Sequence, residues 1–268
     1  MAVKLLVIGG GRIGGALVAG LLRGGWAEPA EIAVLEPSGA QREVLSAAHP
    51  GLLLWERAEE DSVAPDGGAV LAVKPDVAES VCATTAHAKA PRLLSVVAGL
   101  STERLEAALP AETVVVRAMP NTPILVGSGV SVISGGSRAK ASDLDWAEGI
   151  LSAVGTVVRL PERMLHAVTG LSGSGPAYVF LIAEALIEAG VLGGLAREVS
   201  TELVTGTLLG SAKLLAATGE PPEKLRGDIT SPGGTTAAGL RALEARAVRS
   251  AFLEAVASAT ERSRQLGH

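Results

Sequence analysis

An apolar run followed by glycines opens the chain: Val3-Lys4-Leu5-Leu6-Val7-Ile8-Gly9-Gly10-Gly11-Arg12-Ile13-Gly14-Gly15. The apolar part is typical of a buried strand, and Ala16-Leu17-Val18 after the glycines is typical of a helix. Gly9, Gly11 and Gly14 have the spacing Gly-x-Gly-x-x-Gly. A strand, glycines at this spacing and a helix, in this order, predict the phosphate-binding turn of a dinucleotide-binding domain.

Each glycine of this turn has a separate expected role. Gly9 can adopt the tight turn, Gly11 lets the backbone approach a pyrophosphate, and Gly14 allows the helix to pack close to the strand. The free amides at the start of the helix would then hold the phosphates. A glycine loop that is merely flexible is the alternative. The expected cofactor contacts in this turn are Gly9, Gly10, Gly11, Arg12, Ile13 and Gly14.

The second expected strand ends at Glu36, about 20 residues beyond the glycines, where dinucleotide-binding folds place the residue that reads the ribose. Glu36 can accept hydrogen bonds from a free ribose diol and would repel a 2′-phosphate, which favours NADH. Ser38 and Arg42 are close enough in sequence to contact a phosphate if Glu36 turns away. NADH and NADPH therefore both stay open, and a solvated glutamate at a strand end is a further alternative.

Short strand-like runs alternate with helix-period segments up to about Leu160, which predicts a parallel sheet with helices on both faces. Beyond Pro161 the strand signals vanish and long helical segments take over. We therefore expect an α/β protein, with a Rossmann-type doubly wound sheet in residues 1–161 and an all-helical domain in residues 162–268. The expected strands are 5–8, 32–35, 70–73, 93–97 and 114–117, with edge strands at 130–133 and 157–159, and the expected crossover helices are 13–22, 40–48, 77–87 and 102–109.

Composition argues against several classes of partner and compartment. Hydrophobic residues make up 48% of the chain and charged residues 19%, as in folded soluble proteins. The net charge of −5 and the lack of a basic run make nucleic acid an unexpected partner. The single cysteine, Cys82, cannot form an internal disulfide, and the first apolar run is too short for a signal peptide. We expect a cytoplasmic protein without a metal site.

The most apolar later stretch, residues 177–189, is relevant both to membrane insertion and to the assembly of subunits. It contains Glu184 and Glu188 and falls short of the roughly 20 residues that span a bilayer, so we expect no membrane segment. Residues 178–183 are apolar around the whole helix circumference, and such a helix must be buried on nearly every side. A helical domain of about 100 residues has difficulty enclosing it alone. We therefore expect a symmetric dimer built on the helical half.

Four further segments, taken together with the glycine turn, resemble the pyrroline-5-carboxylate reductase family, and they follow the family's order over nearly the whole chain. The last two are the most specific. The segments are Leu71-Ala72-Val73-Lys74-Pro75, Arg117-Ala118-Met119-Pro120-Asn121-Thr122-Pro123, Gly170-Leu171-Ser172-Gly173-Ser174-Gly175-Pro176-Ala177-Tyr178 and Thr230-Ser231-Pro232-Gly233-Gly234-Thr235-Thr236.

This resemblance implies an N-terminal Rossmann domain, a C-terminal helical dimerisation domain that can build larger rings of dimers, and a reaction. The reaction is hydride transfer from NADPH or NADH to the carbon–nitrogen double bond of 1-pyrroline-5-carboxylate, giving L-proline in the last step of proline biosynthesis. For Lys74 a surface lysine is the alternative role, and for Asn121 simple turn-making. The further cofactor residues that the resemblance implies are Ala72, Val73, Lys74, Pro75, Ala98 and Asn121.

The substrate site that the resemblance implies lies in the last segment, with Ser231, Gly234, Thr235 and Thr236. This segment precedes a helical run at 237–244, so its glycines would leave backbone amides unpaired at a helix N-terminus. Such amides form a natural binding site for a carboxylate. The Thr236 hydroxyl is the best candidate to hydrogen-bond the ring nitrogen, and because threonine is a poor acid it would position or relay a proton. An elaborate helix cap is the alternative. Glu162 loosely matches a substrate-side acidic position.

Some residues depart from the family's pattern, and two rival functions stay open. Glu59 stands where the family often has Asn near the cofactor ribose, and Asp228 is more acidic than usual, which puts NADPH preference in doubt. A β-hydroxyacid dehydrogenase would need a lysine in residues 169–178, and none is present. A nucleotide-binding scaffold without turnover is the second rival, and the intact segment from Ser231 to Thr236 argues against it.

Overall fold

The computed structural model describes residues 2–58 and 60–266, so the expectation for Glu59 lies outside the described residues. Within them, the strands of the N-terminal part form one sheet in the order β3-β2-β1-β4-β5-β6-β7-β8. The strands are β1 (Val3–Ile8), β2 (Ile32–Leu35), β3 (Leu53–Trp55), β4 (Val63–Leu71), β5 (Arg92–Ser95), β6 (Val114–Pro120), β7 (Gly129–Gly135) and β8 (Gly155–Arg159).

Helices connect these strands and continue after them. Those that accompany the sheet are α1 (Arg12–Arg23), α2 (Gly39–Ala48), α3 (Pro75–His87), α4 (Thr102–Ala107), α5 (Ala141–Leu151) and α6 (Leu165–Val168). Those that follow are α7 (Gly175–Leu192), α8 (Arg197–Thr218), α9 (Pro222–Asp228), α10 (Thr235–Ala245) and α11 (Val248–Leu266). Beyond Arg159 the described residues contain no strand, as expected from the sequence.

The sheet has the doubly wound order that the sequence predicts. Strands β1 to β6 are parallel, and the order reverses between β1 and β4, which opens a crevice at the carboxyl ends of these two strands. The fold-class prediction is confirmed. Strand β7 is the exception to parallel pairing, because residues 121–128 return directly and set β7 antiparallel to β6, and β8 then pairs parallel with β7.

Four details of the sequence-based assignment need correction. The strands predicted at 70–73 and 93–97 end at Leu71 and Ser95, so Val73 and Val97 lie in the loops that follow. Strand β3 was not predicted because three residues are too few for a periodic signal, and helix α5 was also missed. The two strand ends matter for function, since they move Val73 and its neighbours from the sheet to its ligand-binding edge.

Apolar side chains alternate between the two faces of the sheet along β1. Leu5 and Val7 pack with residues of α1 and α5 in one buried cluster, and Leu6 and Ile8 pack with residues of α3 and α4 in the other. All four side chains are at most 1% exposed. This period of two, with helices on both faces of the sheet, buries both faces of β1.

The chain divides into two units, Met1–Gly173 with Ala259–His268, and Ser174–Ser258. The first unit holds the sheet, its helices and the end of α11, and the second holds helices joined by short loops. In the second unit, α7 packs against α8 at Gly190, where an added Cβ would lie 2.6 Å from the Ser200 Oγ. Glycine thus permits the close approach of these two helices. The domain boundary near Pro161 stays a prediction.

Helix α7 is not buried within the chain, although its sequence is apolar on all sides. None of its residues is buried, and Phe180 and Leu181 are 67% and 65% exposed. The helical stretch Glu162–Leu192 is 31 residues long and contains an 18-residue window with a mean hydropathy of 1.6, so it is long and apolar enough to cross a bilayer. This corrects the expectation that the region is too short. Length and composition are weak evidence, since the core helix of a soluble protein passes the same test.

Candidate functional site

The glycine turn after β1 has the geometry that its spacing predicts. Gly9 has a φ of +102°, and an added Cβ would lie 2.6 Å from the Ala72 carbonyl oxygen at the end of β4. An added Cβ on Gly14 would overlap the Gly9 carbonyl oxygen, so α1 packs directly on the turn. At Gly11 an added Cβ would meet nothing within 4 Å. Gly9 and Gly14 are therefore required by packing, whereas Gly11 borders open space.

A cavity of about 660 Å³ lies beside this turn, at the crevice where the strand order reverses. Six of the residues expected to bind the cofactor line it: Gly9, Gly11, Glu36, Ala72, Val73 and Lys74. The amide end of α1 has Gly11 as its N-cap, and no side chain in the described part of the chain caps it. Open space at Gly11, uncapped amides and an apolar wall fit a dinucleotide with its pyrophosphate at the helix end.

The other residues expected to bind the cofactor do not line this cavity. Arg12 is exposed at the first position of α1, Ile13 packs against the core, and Pro75 begins α3. Gly10 is held by the protein, since its carbonyl accepts a hydrogen bond from the Gln41 Nε2 at 2.7 Å. Ala98 is exposed in the loop after β5. A contact from any of these to a cofactor stays a prediction.

Glu36 is anchored rather than solvated at the end of β2. Its Oε2 accepts a hydrogen bond from the Gly10 N–H at 2.9 Å, and its Oε1 accepts one from the Ser38 N–H at 2.9 Å. The Ser38 hydroxyl caps α2 by accepting from the Gln41 N–H at 3.4 Å. Glu36 therefore ties the glycine turn to the loop after β2 while lining the cavity.

Asn121 uses both ends of its amide within the protein. Its Nδ2 donates to the Ser172 carbonyl at 3.1 Å, and its Oδ1 accepts from the Val130 N–H at 2.8 Å. The Ser172 bond reaches the π-helical turn Thr169–Gly173, where an added Cβ on Gly173 would lie 2.8 Å from the Met119 Cε. These contacts favour a structural role for Asn121, and a cofactor contact stays a prediction.

Glu162 lies in a partly buried ion pair. Its Oε1 accepts from Arg117 Nη1 and from the Thr102 N–H, each at 2.8 Å, and its Oε2 accepts from the Thr102 hydroxyl at 2.5 Å. The side chain of Arg117 is 8% exposed and that of Glu162 28%. Burial raises the pKa of Glu162, but the hydrogen bonds from Thr102 and Arg117 outweigh it, so the pKa lies below the usual value. The carboxylate thus stays ionised and joins β6 to the start of α4.

The predicted substrate loop forms the start of α10 in the second unit. Gly233 has a φ of +71°, the Gly234 N–H donates to the Ser231 carbonyl at 3.1 Å, and Gly234 is the N-cap of the helix. Among the described residues no side chain caps this helix end. The alternative of an elaborate side-chain cap is therefore not supported, and the first amides of α10 are available to a carboxylate. Thr236 is half-buried and Thr235 exposed.

A small pocket of about 170 Å³ adjoins this loop on one face of α10. It is lined by Gly233, Gly234, Ala237, Ala238 and Arg241, whereas Ser231, Thr235 and Thr236 do not line it. From Gly234 onward the lining positions follow the three- and four-residue spacing of one helix face. Their roles in substrate binding stay predictions, and Arg241 is a cation at this face that the sequence analysis did not identify.

Several residues of the large cavity were also missed from the sequence. Val77, Ser80 and Val81 come from α3 at helical spacing, and Glu56 follows β3. The signal for the α3 residues was present, because positions three and four apart share one helix face. Glu56 had no such signal, since it depends on the unpredicted strand β3. Among residues 2–58 and 60–266, no cluster of three or more His, Cys, Asp or Glu side chains could hold a metal.

Comparisons with known proteins give a consistent family assignment. Residues 162–266 match the family model for pyrroline-5-carboxylate reductase dimerisation, and residues 4–99 match that for coenzyme F420-dependent NADP oxidoreductases. The chain is 42% identical to a pyrroline-5-carboxylate reductase from Synechocystis, over 100% of this chain and 99% of that protein. It is 35% identical to the Escherichia coli one, over 99% of each.

Solved structures agree with these relatives. A pyrroline-5-carboxylate reductase from Coxiella burnetii superposes with a TM-score of 0.90 at 32% identity, covering 100% of both chains. A Plasmodium falciparum pyrroline carboxylate reductase with NADP bound superposes with a TM-score of 0.84 at 32% identity, covering 99% of this chain and 98% of that one.

Proposed function

Because the chain belongs to the pyrroline-5-carboxylate reductase family, we propose that it reduces the double bond between carbon and nitrogen in 1-pyrroline-5-carboxylate, giving L-proline. The family membership confirms the resemblance seen in the sequence. The observation that carries the proposal is the cavity at the glycine turn, which gathers six of the expected cofactor residues at the crevice of the sheet. The oxidoreductase uses NADH or NADPH, which supplies the hydride when bound.

The residues that bind the cofactor belong to the first unit. The amides at the start of α1 hold the pyrophosphate, and Gly11 leaves the space that it needs. Glu36 lies at the ribose end, and Ala72 and Val73 form the wall at the end of β4. Lys74 is exposed at the same edge and contributes positive charge near the phosphates. Arg12, at the first turn of α1, adds a second cation.

The substrate carboxylate binds at the amide end of α10. The turn through Gly233 and Gly234 directs the backbone so that the first amides of the helix stay uncapped, and a carboxylate there also gains from the helix dipole. Ser231 and Thr235 border these amides and can add hydroxyl donors. Arg241, on the same face of α10 about two turns further along, adds a positive charge that attracts the anion.

Thr236 acts on the imine nitrogen. Its hydroxyl hydrogen-bonds the ring nitrogen and positions the proton that the nitrogen receives, while water is the ultimate donor. A protonated imine is already electrophilic, so the reaction does not require a strongly acidic side chain. Glu162 and Asn121 shape the site through their protein contacts, and Glu162 keeps one lone-pair site, on Oε2, for a substrate-side hydrogen bond.

The helical half of the chain forms the contacts between subunits. We propose a helical domain over residues 162–268 that forms at least a homodimer, with a larger ring of dimers as a further possibility. The dimerisation model that matches residues 162–266 supports this. So does α7, which exposes Phe180, Leu181 and other apolar side chains that a second subunit can cover. Because a second subunit would cover the apolar side chains of α7, the high hydropathy of this helix is compatible with our proposal of a cytoplasmic protein without a membrane segment.

The proposal is tested by adding 1-pyrroline-5-carboxylate to the purified protein and following the absorbance of NADH and NADPH in separate assays. We expect cofactor oxidation matched by proline formation. Oxidation of neither cofactor, by protein that binds at least one of them, would favour the scaffold without turnover. Turnover of a β-hydroxyacid and none of the imine would favour the rival dehydrogenase.

The role of Thr236 has a separate test. Thr236→Val keeps the shape of the side chain and removes the hydroxyl, so we expect kcat to fall about 10²-fold or more, the usual scale for a proton-transfer contribution, with little change in thermal stability. Thr218→Val, at the exposed end of α8, is the matched control and should keep full activity. Equal activity in the two variants would remove Thr236 from the chemistry.

A further inference from the structure

The end of the large cavity nearest β2 is acidic. Glu36 and Glu56 both line it, one after β2 and the other after β3. Glu36 is held in place by the Gly10 and Ser38 amides, so its carboxylate cannot swing away without breaking two hydrogen bonds of 2.9 Å. The carboxylate of Glu56 is 67% exposed. This end of the cavity is where a doubly wound fold receives the ribose that carries either a diol or a 2′-phosphate.

The two side chains that could bind a 2′-phosphate here already have partners within the protein. Arg42 Nη1 donates to the Glu36 carbonyl at 2.7 Å and to the Pro37 carbonyl at 2.9 Å, and its Nη2 lies 3.7 Å from the Glu56 Oε2. The Ser38 amide donates to Glu36, and the Ser38 hydroxyl caps α2. Arg42 Nη1 and an acceptor site of the Ser38 hydroxyl are therefore used within the protein, and a 2′-phosphate could reach only the remaining N–H groups of Arg42 and the hydroxyl hydrogen of Ser38.

A ribose diol fits the same surroundings. A carboxylate has about four lone-pair sites, and Glu36 spends one per oxygen on the two amides, so each oxygen can still accept a hydroxyl hydrogen. A 2′-phosphate would instead bring a second anion to Glu36 and approach Glu56 as well. Like charges brought together weaken binding, and Arg42 offsets this repulsion only in part, because its Nη1 donates to two carbonyl groups and its Nη2 faces Glu56.

We propose that this chain uses NADH in preference to NADPH, with Glu36 as the specificity-determining residue and Glu56 as a second source of repulsion. The inference rests on the proposed function, because it concerns the same cofactor cavity. It differs from the family model matched by residues 4–99, whose name specifies NADP, and from the Plasmodium relative, whose structure holds NADP. The fold is shared with both, and the preference follows from side chains of this chain.

The test is direct binding of NADH and of NADPH to the full-length protein without substrate, by isothermal titration calorimetry. We expect the Kd for NADPH to exceed that for NADH by about tenfold or more, which corresponds to about 1.4 kcal/mol. Glu36→Gln should lower this ratio at least about threefold, because it removes the charge and keeps an acceptor oxygen. Glu56→Gln should lower it by a smaller factor, because Glu56 is more exposed.

Two further variants separate the alternatives. Glu43→Gln removes an exposed charge from α2 away from the cavity lining and should leave the ratio unchanged. Arg57 lines an adjoining pocket of about 390 Å³ with His87, so Arg57→Ala should also leave NADPH affinity unchanged. Equal or tighter binding of NADPH by the unaltered protein overturns the preference alone, and an unchanged ratio in Glu36→Gln overturns the assignment of Glu36 as its determinant. Binding of neither nucleotide overturns the proposed function together with it.

Discussion

Replacing Glu162 with glutamine tests the buried ion pair that joins β6 to α4. Glutamine keeps an oxygen for Thr102 but leaves the guanidinium of Arg117, which is 8% exposed, without its counter-charge. Breaking a fully buried pair by removing one partner costs about 3–5 kcal/mol. Because the Glu162 side chain is 28% exposed and solvent screens part of the interaction, we expect Glu162→Gln to lower the free energy of unfolding by about 1–3 kcal/mol at pH 7.

The effect of Glu162→Gln should depend on pH in one direction. Burial raises the pKa of Glu162, but the bonds from Thr102 and Arg117 lower it more, so the folded-state pKa lies below the usual value. An ionised carboxylate of this kind contributes its full stability above its unfolded-state pKa of about 4.3. That contribution is lost as the pH falls through the lower folded-state pKa. The difference between the unaltered protein and the variant should therefore shrink below about pH 4.

The assay is urea unfolding followed by tryptophan fluorescence at one fixed protein concentration. All three tryptophans, Trp26, Trp55 and Trp146, lie in the unit that holds the ion pair. The double variant with Arg117→Met should be less destabilised than the sum of the single variants, because the unpaired buried charge is then gone. This account of the ion pair would be refuted if Glu162→Gln lowered the free energy of unfolding equally at pH 7 and at pH 3.5. It would also be refuted if the destabilisation of the double variant equalled the sum of the two single-variant values.

Packing and exposure give two more predictions, each with a control variant. Gly14→Ala places a methyl group against the Gly9 carbonyl oxygen, so it should destabilise the protein by about 1–3 kcal/mol and abolish cofactor binding. Gly15→Ala should be tolerated, because the nearest neighbour of its added methyl group would be 3.7 Å away. Thermal unfolding and calorimetric titration of the cofactor, on both variants, check this. Phe180→Asp should convert the oligomer to monomers in sedimentation velocity, and an unchanged sedimentation coefficient would contradict the role of α7. Val44→Asp, at a site 61% exposed on α2, is the control for Phe180→Asp and should stay oligomeric.

Features set by neighbouring residues could be predicted from the sequence. The glycine turn is one, because the tight backbone at Gly9 and the close helix at Gly14 depend on contacts within a few residues and on the adjacent end of β4. The doubly wound order is another, since alternating strands and helices allow few other arrangements. Glu36 was placed correctly at the cavity, but its two amide bonds depend on how Gly10 and Ser38 fold around it.

Features set by distant contacts were missed or misjudged. Glu56 enters the cavity because β3, three residues long, pairs with β2, and so short a strand leaves no periodic signal. Asn121 and Glu162 have partners 51 and 45 residues away, Ser172 and Arg117, which no local pattern reveals. Residues 177–189 were judged too short to span a bilayer because only the apolar run was counted, with Glu184 and Glu188 within it. The helical stretch begins much earlier, at Glu162, and continues through a π-helical turn at Thr169–Gly173 that the sequence did not reveal.

The transfer of hydride to the imine carbon is measured most directly with NADH deuterated at C4 of its nicotinamide. We predict that proline formed from 1-pyrroline-5-carboxylate carries one deuterium, on the carbon that was doubly bonded to nitrogen, in unlabelled water. Thr236→Val should slow this labelling without changing its position. Proline without deuterium, or no proline from protein that binds the labelled cofactor, would contradict the assignment of this chain as a reductase.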